Sequence, residues 1–587
     1  MNSRYFSNIA FQSTQRALSL MDRNPFSKSF GCFDRYYWHF KMKDFPSASY
    51  QMGVEFLAQL WKDPHPENSF YKQKCLLEWI KASFEYTCSI QNKDGSFDEW
   101  YPNERGWAGP TSYIVHSLAS AYKITEKEWN EDLKNKFKKC FYKAFQFLVK
   151  QKEGAVLANH SALFLLSLYE IFQITGATEA EDQFKRHLRD FKKLICEEGW
   201  SKEYDGVDFG YNLATLSFLA RLYSFYPEPF LKKYAEKSLS FLSYFFYPDG
   251  SFGALGSRET VHLYPYALKF WGAENLPLAQ DIYRHLIKKK SFENLRPFDQ
   301  DDHYLFYRLN EYLEVDEIIL NHSHKDSPSR ESGNLQEQSQ HFDQVGLSDN
   351  VLKQSALPCF KPQPFEKHFS QAGFFLKKTN SFYLVVNLKK GGAFRLYDLN
   401  KPHKAYKNKG WVLKTNSQLL ITNFWHSQKN KITISDNQII IEGPAFFINQ
   451  RYFNRIKFIL FRIFTFLAFN YKTAFLLKKA VRFLLILRNQ RANCFFKRIL
   501  QFNKEEVSIE DSIESAKPGT VFYGGEFVVR YVPQSNYFEK SDLYNRSSVF
   551  SIDKELLIRQ NYNFKIYRSD LKFQHDSHAR ESGNLQK

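Results

Sequence analysis

Several things the chain lacks narrow the possibilities first. No apolar run in its 587 residues approaches the roughly 18–20 residues that a helix needs to cross a bilayer. The longest uncharged apolar stretch near the basic segment, 463–471, is half that length. The opening stretch MNSRYFSNIAFQSTQR has no apolar core of the secretory type. A cytoplasmic protein, or one peripheral to an inner membrane, is therefore expected. Cysteine is sparse and scattered, with seven residues at 32, 75, 88, 140, 196, 359 and 494, none in a CxxC pair. An odd number at such spacing supports neither a zinc site nor a disulfide framework and suits a reducing compartment. No metal and no cofactor is expected. Acidic residues vanish altogether between 451 and 500, where twelve Lys or Arg stand without one Asp or Glu.

What is present is a large, aromatic-rich chain. Its length exceeds what one core serves, so two or more domains are expected. Hydrophobic residues at 43% and charged residues at 25% fit a globular protein and exclude a wholly disordered one. Phe is unusually frequent, 59 residues beside 35 Tyr and 10 Trp, enough for large cores and for sugar-stacking grooves. The charge balance, 81 − 63 = +18, favours polyanionic partners. Nucleic acid is not expected among them, because no recognition motif, RNA-binding signature or zinc finger occurs.

The chain divides into three. Over 1–320, apolar residues recur at helical spacing in 51–60, 75–88, 113–122, 137–149, 162–174, 213–223, 231–246 and 278–287. Gly- and Asp-bearing turns separate them, and glycines 95, 154, 199 and 250 lie 59, 45 and 51 residues apart. That period suits one helical hairpin per repeat, and hairpins closed into an (α/α) toroid would bring these loops to one end. Residues 321–366 are polar and turn-rich, as a linker is. Their segment 326–336 recurs at 576–586 with nine of eleven positions identical, which resembles inserted low-complexity sequence. Over 367–587 the period falls to two, in runs such as FYLVVNLKK and QIIIEG that end at Gly, Asn or Asp. An antiparallel β-sandwich is expected there, interrupted at about 451–500 by a basic, apolar insertion. The fold class is thus α+β and multidomain: an N-terminal (α/α) toroid followed by a C-terminal antiparallel β-sandwich.

This order of domains, with the strings GCFDRYYWHFK (31–41), QNKDGSFDEWYPNER (91–105), ANHSALFLLSL (158–168), EEGWSKEYDGVDFGYNLATL (197–216) and DGSFGALGSRET (249–260), resembles the heparinase II/III-like polysaccharide lyases. The resemblance implies β-elimination next to a uronic acid in an acidic polysaccharide, with a link to bacterial surface polysaccharide and the cell envelope as an alternative location. Such chemistry needs a group that quenches the uronate carboxylate, a base for the C5 proton and an acid for the leaving oxygen. Asn159 and His160 look like the family's Asn-His pair, Asn159 binding the carboxylate and His160 acting as base or orienting the sugar. Tyr211 looks like its acid–base tyrosine. Tyr204, Arg258, Trp100 and Arg105 are the candidate substrate-binding residues, Arg258 suiting an anionic sugar. The sequence departs from the family in its second domain. The region around the Gly391-Gly392 turn offers only His403 where active members carry a further histidine.

Other readings attach to other residues. Asp299-Gln-Asp-Asp302 matches the DxDD of class II terpene cyclases, although the strand-rich half has no counterpart there. Carboxylates Asp98, Glu99, Glu203, Asp205 and Asp208 offer pairs for glycoside hydrolysis, and a non-catalytic polysaccharide-binding or assembly protein is a further alternative. In the basic segment, Ile459, Ile463, Phe466 and Phe469 fall on one helical side and Arg455, Lys457 and Arg462 nearer another. Either an in-plane helix on an anionic membrane or an insertion packed on the protein's own sandwich follows.

Overall fold

The computed structural model describes residues 4–105, 107–151, 157–203, 206–289, 291, 302–318, 357–401, 405–416, 418–424, 430–448, 454–468, 470–483, 490–524 and 548–564. Among the described residues, twelve helices of nine or more residues build the N-terminal half: α1 (Tyr5–Leu20), α2 (Gly53–Lys62), α3 (Lys74–Ser89), α4 (Ala108–Thr125), α5 (Glu131–Leu148), α6 (Ala158–Thr175), α7 (Thr178–Lys192), α8 (Phe209–Phe225), α9 (Pro229–Leu242), α10 (Pro265–Ala273), α11 (Pro277–Lys288) and α12 (Leu305–Glu317). The even-numbered helices pack each on the next, and α12 packs back on α2, so they close a ring. The odd-numbered ones lie outside it, α7 on α6 and α1 on α12 for instance. This is the expected (α/α) toroid. The helix sequences explain the two layers. Inner α6 and α8 bury residues on nearly every side, whereas outer α7 buries only Ala180, Phe184, Leu188 and Phe191, a single stripe at helical spacing.

The recurrent glycine turns join each outer helix to the next inner one, at the end of the ring where the inner helices begin. In both DGSF turns the Asp carboxylate accepts from the Ser backbone N–H and hydroxyl: Asp94 from Ser96 at 3.2 and 2.7 Å, Asp249 from Ser251 at 2.9 and 2.6 Å. Gly95 and Gly199 adopt φ of +93° and +98°, and each presses on a neighbouring outer helix. A Cβ at either position would run into the carbonyl of Lys143 or Lys237, so only glycine fits. Gly154 lies outside the described residues.

The C-terminal half is two antiparallel sheets. Strands β1 (Phe365–Phe369), β2 (Phe374–Lys378), β3 (Phe382–Asn387), β4 (Ala393–Asp398) and β5 (Ala405–Asn408) form the smaller, in that order. The larger comprises β6 (Trp411–Lys414), β7 (Leu419–Ile421), β8 (Lys431–Ser435), β9 (Gln438–Phe447), β10 (Arg491–Phe502), β11 (Glu506–Ser515), β12 (Gly519–Tyr523), β13 (Ser548–Ile552) and β14 (Glu555–Asn563). Its order is β13-β12-β6-β7-β9-β10-β11-β14, with β8 on β9. Phe382, Leu384 and Val386 share a core with Ile439, Ile441, Phe496 and Leu500 of the larger sheet, which makes this a sandwich. The alternate residues Tyr383 and Val385 join the toroid's core instead. The middle of the smaller sheet is therefore buried on both faces, and every residue of β3 is buried. Phe374 meets Phe245 at 5.0 Å, Tyr397 stacks on Tyr247 at 5.1 Å, and the Tyr383 hydroxyl donates to the Tyr244 carbonyl at 2.7 Å. Contacts of this kind, at about 1.5–3 kcal/mol for each large buried side chain, fuse the two halves.

Residues 321–356 of the linker region and the recurring segment at 576–586 lie outside the described residues. From 357 the chain is already packed, with Leu357 and Cys359 buried, and β1 begins at Phe365. The basic insertion is shorter than its charge run. It contains helices α13 (Arg455–Leu467) and α14 (Tyr471–Arg482), and β10 then takes up 491–502. Described residues of the insertion contact the toroid. Phe461 meets the edge of Tyr101 at 5.2 Å, Asn103 Nδ2 donates to the Thr465 carbonyl at 3.3 Å, and Arg462 pairs with Asp44. All seven cysteines are free thiols, and no described helix is long and apolar enough to span a membrane.

Candidate active site

The mouth of the ring is lined by the first turns of the inner helices and the loops before them. Asn159 and His160 stand in the first turn of α6, and Tyr211 in the first turn of α8, which packs directly on α6. The structure thus brings the three candidate catalytic residues to one end, on adjacent helices.

Asn159 is held by Glu203, whose chain runs antiparallel beside Leu157. Its backbone N–H and Nδ2 donate to the two carboxylate oxygens of Glu203 at 2.8 and 2.7 Å. Burial pushes the Glu203 carboxyl well above the usual carboxylate range, and Asp208 adds to the rise. Asn159 is itself buried. Its first role in this arrangement is to fix the loop before α8 to the start of α6.

His160 is half-buried, and its Nδ1 accepts from the indole N–H of Trp107 at 3.1 Å, the rings 5.4 Å apart. An indole can only donate, so Nδ1 must carry the lone pair. The neutral ring then bears its proton on Nε2, a tautomer set by its neighbour. With Nδ1 engaged, neutral His160 is suited to donate a hydrogen bond from Nε2 more than to take a proton.

Tyr211 is placed by Asp208, the N-cap of α8, which accepts from the Tyr211 N–H at 3.3 Å. The same carboxylate accepts from the Arg258 N–H at 2.9 Å, the Thr260 N–H at 3.3 Å and the Thr260 hydroxyl. Asp208 thereby stitches the loop 256–260 to the start of α8. Arg258 is 1% exposed, and its charge acts on Glu203. The guanidinium is packed inside the mouth wall and does not line an open surface.

Trp100 is 52% exposed and stacks on His303 with centroids 4.5 Å apart. His303 Nε2 lies 2.9 Å from Glu99, which also accepts from the Ser49 N–H and hydroxyl at 2.8 and 2.7 Å. Burial opposes the charge on Glu99, but His303 and the Ser49 donors overcome it and hold the carboxyl below its ordinary value. The stack is thus fixed from below, leaving one indole face outward. Arg105 is half-buried and pairs with Asp94 of the DGSF turn at 3.6 Å, a local brace.

Sequence reasoning missed Trp107 and His303, and it read Lys478 only as a cation of the basic insertion. Lys478 of α14 lies over the Trp107 ring at 4.2 Å, so the sheet domain's insertion reaches the residue that orients His160. No sequence signal links positions so far apart. It also missed the buried contact where the Gly391-Gly392 turn meets the toroid. There Glu259 pairs with Lys390 and, at 2.9 Å, with Lys409. His403, like Tyr204 and Asp205, lies outside the described residues.

The carboxylates considered for hydrolysis are all engaged where described. Glu99, Glu203 and Asp208 are held as above, and Asp98 accepts from Asn92 and from the Glu104 N–H. Of the DxDD string only Asp302 is described, and it pairs with Arg16 at 2.8 Å. Among the described residues no group of His, Cys, Asp or Glu is placed to hold a metal ion.

Residues 71–273 match the family model described as the Ulvan lyase N-terminal domain. The resemblance to polysaccharide lyases read from the sequence is upheld. That match spans the ring from α3 through α10 and includes Trp100, Asn159, His160, Tyr211 and Arg258. Among solved structures, the chain is similar to a Streptomyces coelicolor A3 chondroitin AC lyase in complex with chondroitin sulphate, at 8% identity and TM-score 0.49, over 88% of this chain and 68% of that one. It is also similar to a heparinase III at 11% identity and TM-score 0.44, over 96% and 86% of the two chains. A third is the heparan sulfate lyase HepC from Pedobacter heparinus, at 10% identity and TM-score 0.37, over 88% and 69%. No curated protein matches the chain.

Proposed function

We propose that the chain is a lyase that cleaves an acidic, uronate-bearing polysaccharide by β-elimination, such as a polymer of a bacterial surface. The observation that carries this reading is the Trp107–His160 hydrogen bond at the ring mouth, beside Tyr211 on the adjacent helix. His160 donates from Nε2 to the uronate carboxylate, withdrawing charge so that the C5 proton becomes acidic. Tyr211 is the acid–base group: as the phenolate it takes the C5 proton, the C5–H bonding pair forms the C4–C5 double bond, the C4–O bond breaks onto the glycosidic oxygen, and Tyr211 hands the proton to that oxygen. Trp100 offers its exposed face for stacking a neighbouring sugar. The family match over 71–273 supports the reaction class.

The test is ultraviolet absorbance of the unsaturated product, followed across a panel of acidic polysaccharides. A rise that is lost in Tyr211→Phe supports the proposal. Reducing ends released without absorbance would make the protein a hydrolase.

A second reading, a polysaccharide-binding protein without catalysis, has one observation in its favour. Where active relatives of the resembling family carry a second-domain histidine, this chain buries Lys390 and Lys409 on Glu259. Saturable binding with neither absorbance nor reducing ends would establish it.

A further inference from the structure

The insertion helix α13 shows its apolar side to solvent. At about 100° per residue, Ile456, Ile459, Leu460, Ile463, Phe464 and Leu467 fall within one arc of about 140° on α13. All six are exposed, Ile456 to 70% and Leu467 to 57%. Phe461 and Thr465 lie on the opposite side and make the contacts to Tyr101 and Asn103. A groove of about 370 Å³ runs along the helix, lined by Phe458, Ile459, Arg462, Ile463, Phe466 and Leu467. On α14, Leu476 is 63% exposed. A surface helix of a globular protein turns its apolar stripe inward; α13 does the reverse, and a contiguous apolar patch in water marks a binding surface.

Charge identifies what covers it. Residues 454–483 hold seven Lys or Arg and no acid. Arg455 and Lys457 border the apolar arc on either side, and both are exposed, as are Lys472 and Lys479 on α14. Apolar side chains flanked by unopposed cations match an interface of acyl chains beneath anionic headgroups. Helices of 13 and 12 residues are too short to span a bilayer, so they lie in its plane. We infer that α13 and α14 form a docking surface for an anionic lipid bilayer, which seats the ring mouth beside the membrane. The seating follows from the Phe461, Arg462 and Lys478 contacts, which fix the pair to loops 44 and 101–107. The inference is independent of the reaction proposed above.

The experiment is co-sedimentation of the full chain with phosphatidylcholine vesicles, with and without phosphatidylglycerol, at low and high salt. Two variants accompany the wild type: Ile456→Ser/Leu460→Ser/Ile463→Ser, and Arg455→Gln/Lys457→Gln/Lys472→Gln/Lys479→Gln. None of the seven side chains is buried, so both variants keep the wild-type far-ultraviolet spectrum. Binding to anionic vesicles is expected, with each cation contributing roughly fivefold. Both variants should bind at least tenfold more weakly, and salt should weaken only the electrostatic part, which is screened over about 8 Å at physiological ionic strength. Absence of wild-type binding to anionic vesicles at low salt overturns the inference, as does a serine variant that binds like wild type. A wild-type dimer that the serine variant converts to monomer, with no vesicle binding, would show that a second copy covers the patch instead.

Discussion

Glu259, on the toroid loop before α10, is buried between Lys390 and Lys409 of the sheet domain, 2.9 Å from the latter. Burial alone would raise its pKa, yet the two lysines hold it below the usual carboxylate range. Glu259 itself adopts a φ of +59°.

Replacing Glu259 with Gln leaves two buried ammonium groups without a counter-charge, a loss of about 3–5 kcal/mol. Urea unfolding should show it as a lower midpoint. The triple variant Glu259→Leu/Lys390→Met/Lys409→Met should recover much of the loss, because no charge is then stranded. Since the carboxyl is depressed, its contribution is present above its unfolded pKa of about 4.5 and fades as pH falls through the folded value. A Glu259→Gln variant as stable as wild type at neutral pH would refute the assignment.

Trp107→Phe keeps the ring against His160 but removes the donor to Nδ1. The imidazole then populates both tautomers, which nitrogen-15 correlation spectra of the histidine ring report directly. In the proposed reaction, kcat/KM should fall about tenfold, equivalent to ~1.4 kcal/mol for one positioning hydrogen bond. A ring that stays with its proton on Nε2 in this variant would show that another group fixes the tautomer.

Much of the toroid was legible because eight of its helices carry an apolar period and its loops repeat Gly beside Asp. Three of the other four failed for identifiable reasons. Outer α7 has four buried residues among charged ones, α10 is short, and α12 mixes buried Arg308, Asn310 and Glu311 with its apolar positions. Strand β10 was read as part of the basic insertion because Arg498 occupies an inward-facing position. The strand alternates buried and exposed along its length, but a cation in the core breaks the pattern on paper. Asn159, His160 and Tyr211 were singled out by resemblance alone, and the structure places them at one end of the ring. Trp107 was not singled out, and Lys478 was read only as a cation, since their importance arises only when loop and insertion meet.

Arg498 answers for that inward position. It is 1% exposed and donates from Nε and Nη2 to the two carboxylate oxygens of Asp511, both at 2.7 Å, and from Nη1 to the Gly392 carbonyl at 2.9 Å. The Tyr523 hydroxyl donates to the same carboxylate at 2.6 Å. Asp511→Ala should destabilise the sandwich by about 3–5 kcal/mol, whereas Arg498→Met/Asp511→Leu should cost less than half of that. Chemical denaturation of the three proteins measures the difference, and equal losses in the single and double variants would exclude a paired role.

Glu104 links pH to the ring mouth. Burial pushes its carboxyl from 4.5 up to about 8, although the Trp100 N–H, which donates to it at 2.8 Å, and the charge of Lys478 both pull it down. A raised value means that the folded state holds a proton that the unfolded chain has released between pH 4.5 and 8. Stability from this group is therefore full below the unfolded pKa and is lost as pH rises through the folded one, at about 1.4 kcal/mol per pH unit. Glu104→Gln should keep the Trp100 contact and remove the loss, so its Tm should exceed that of wild type above pH 8. Lys478→Met keeps the stem over Trp107 but deletes the charge, and should move the Glu104 midpoint further up. Calorimetric scans across pH would read both effects, and a Glu104→Gln profile parallel to wild type from pH 5 to 9 would refute the assignment of the proton to Glu104.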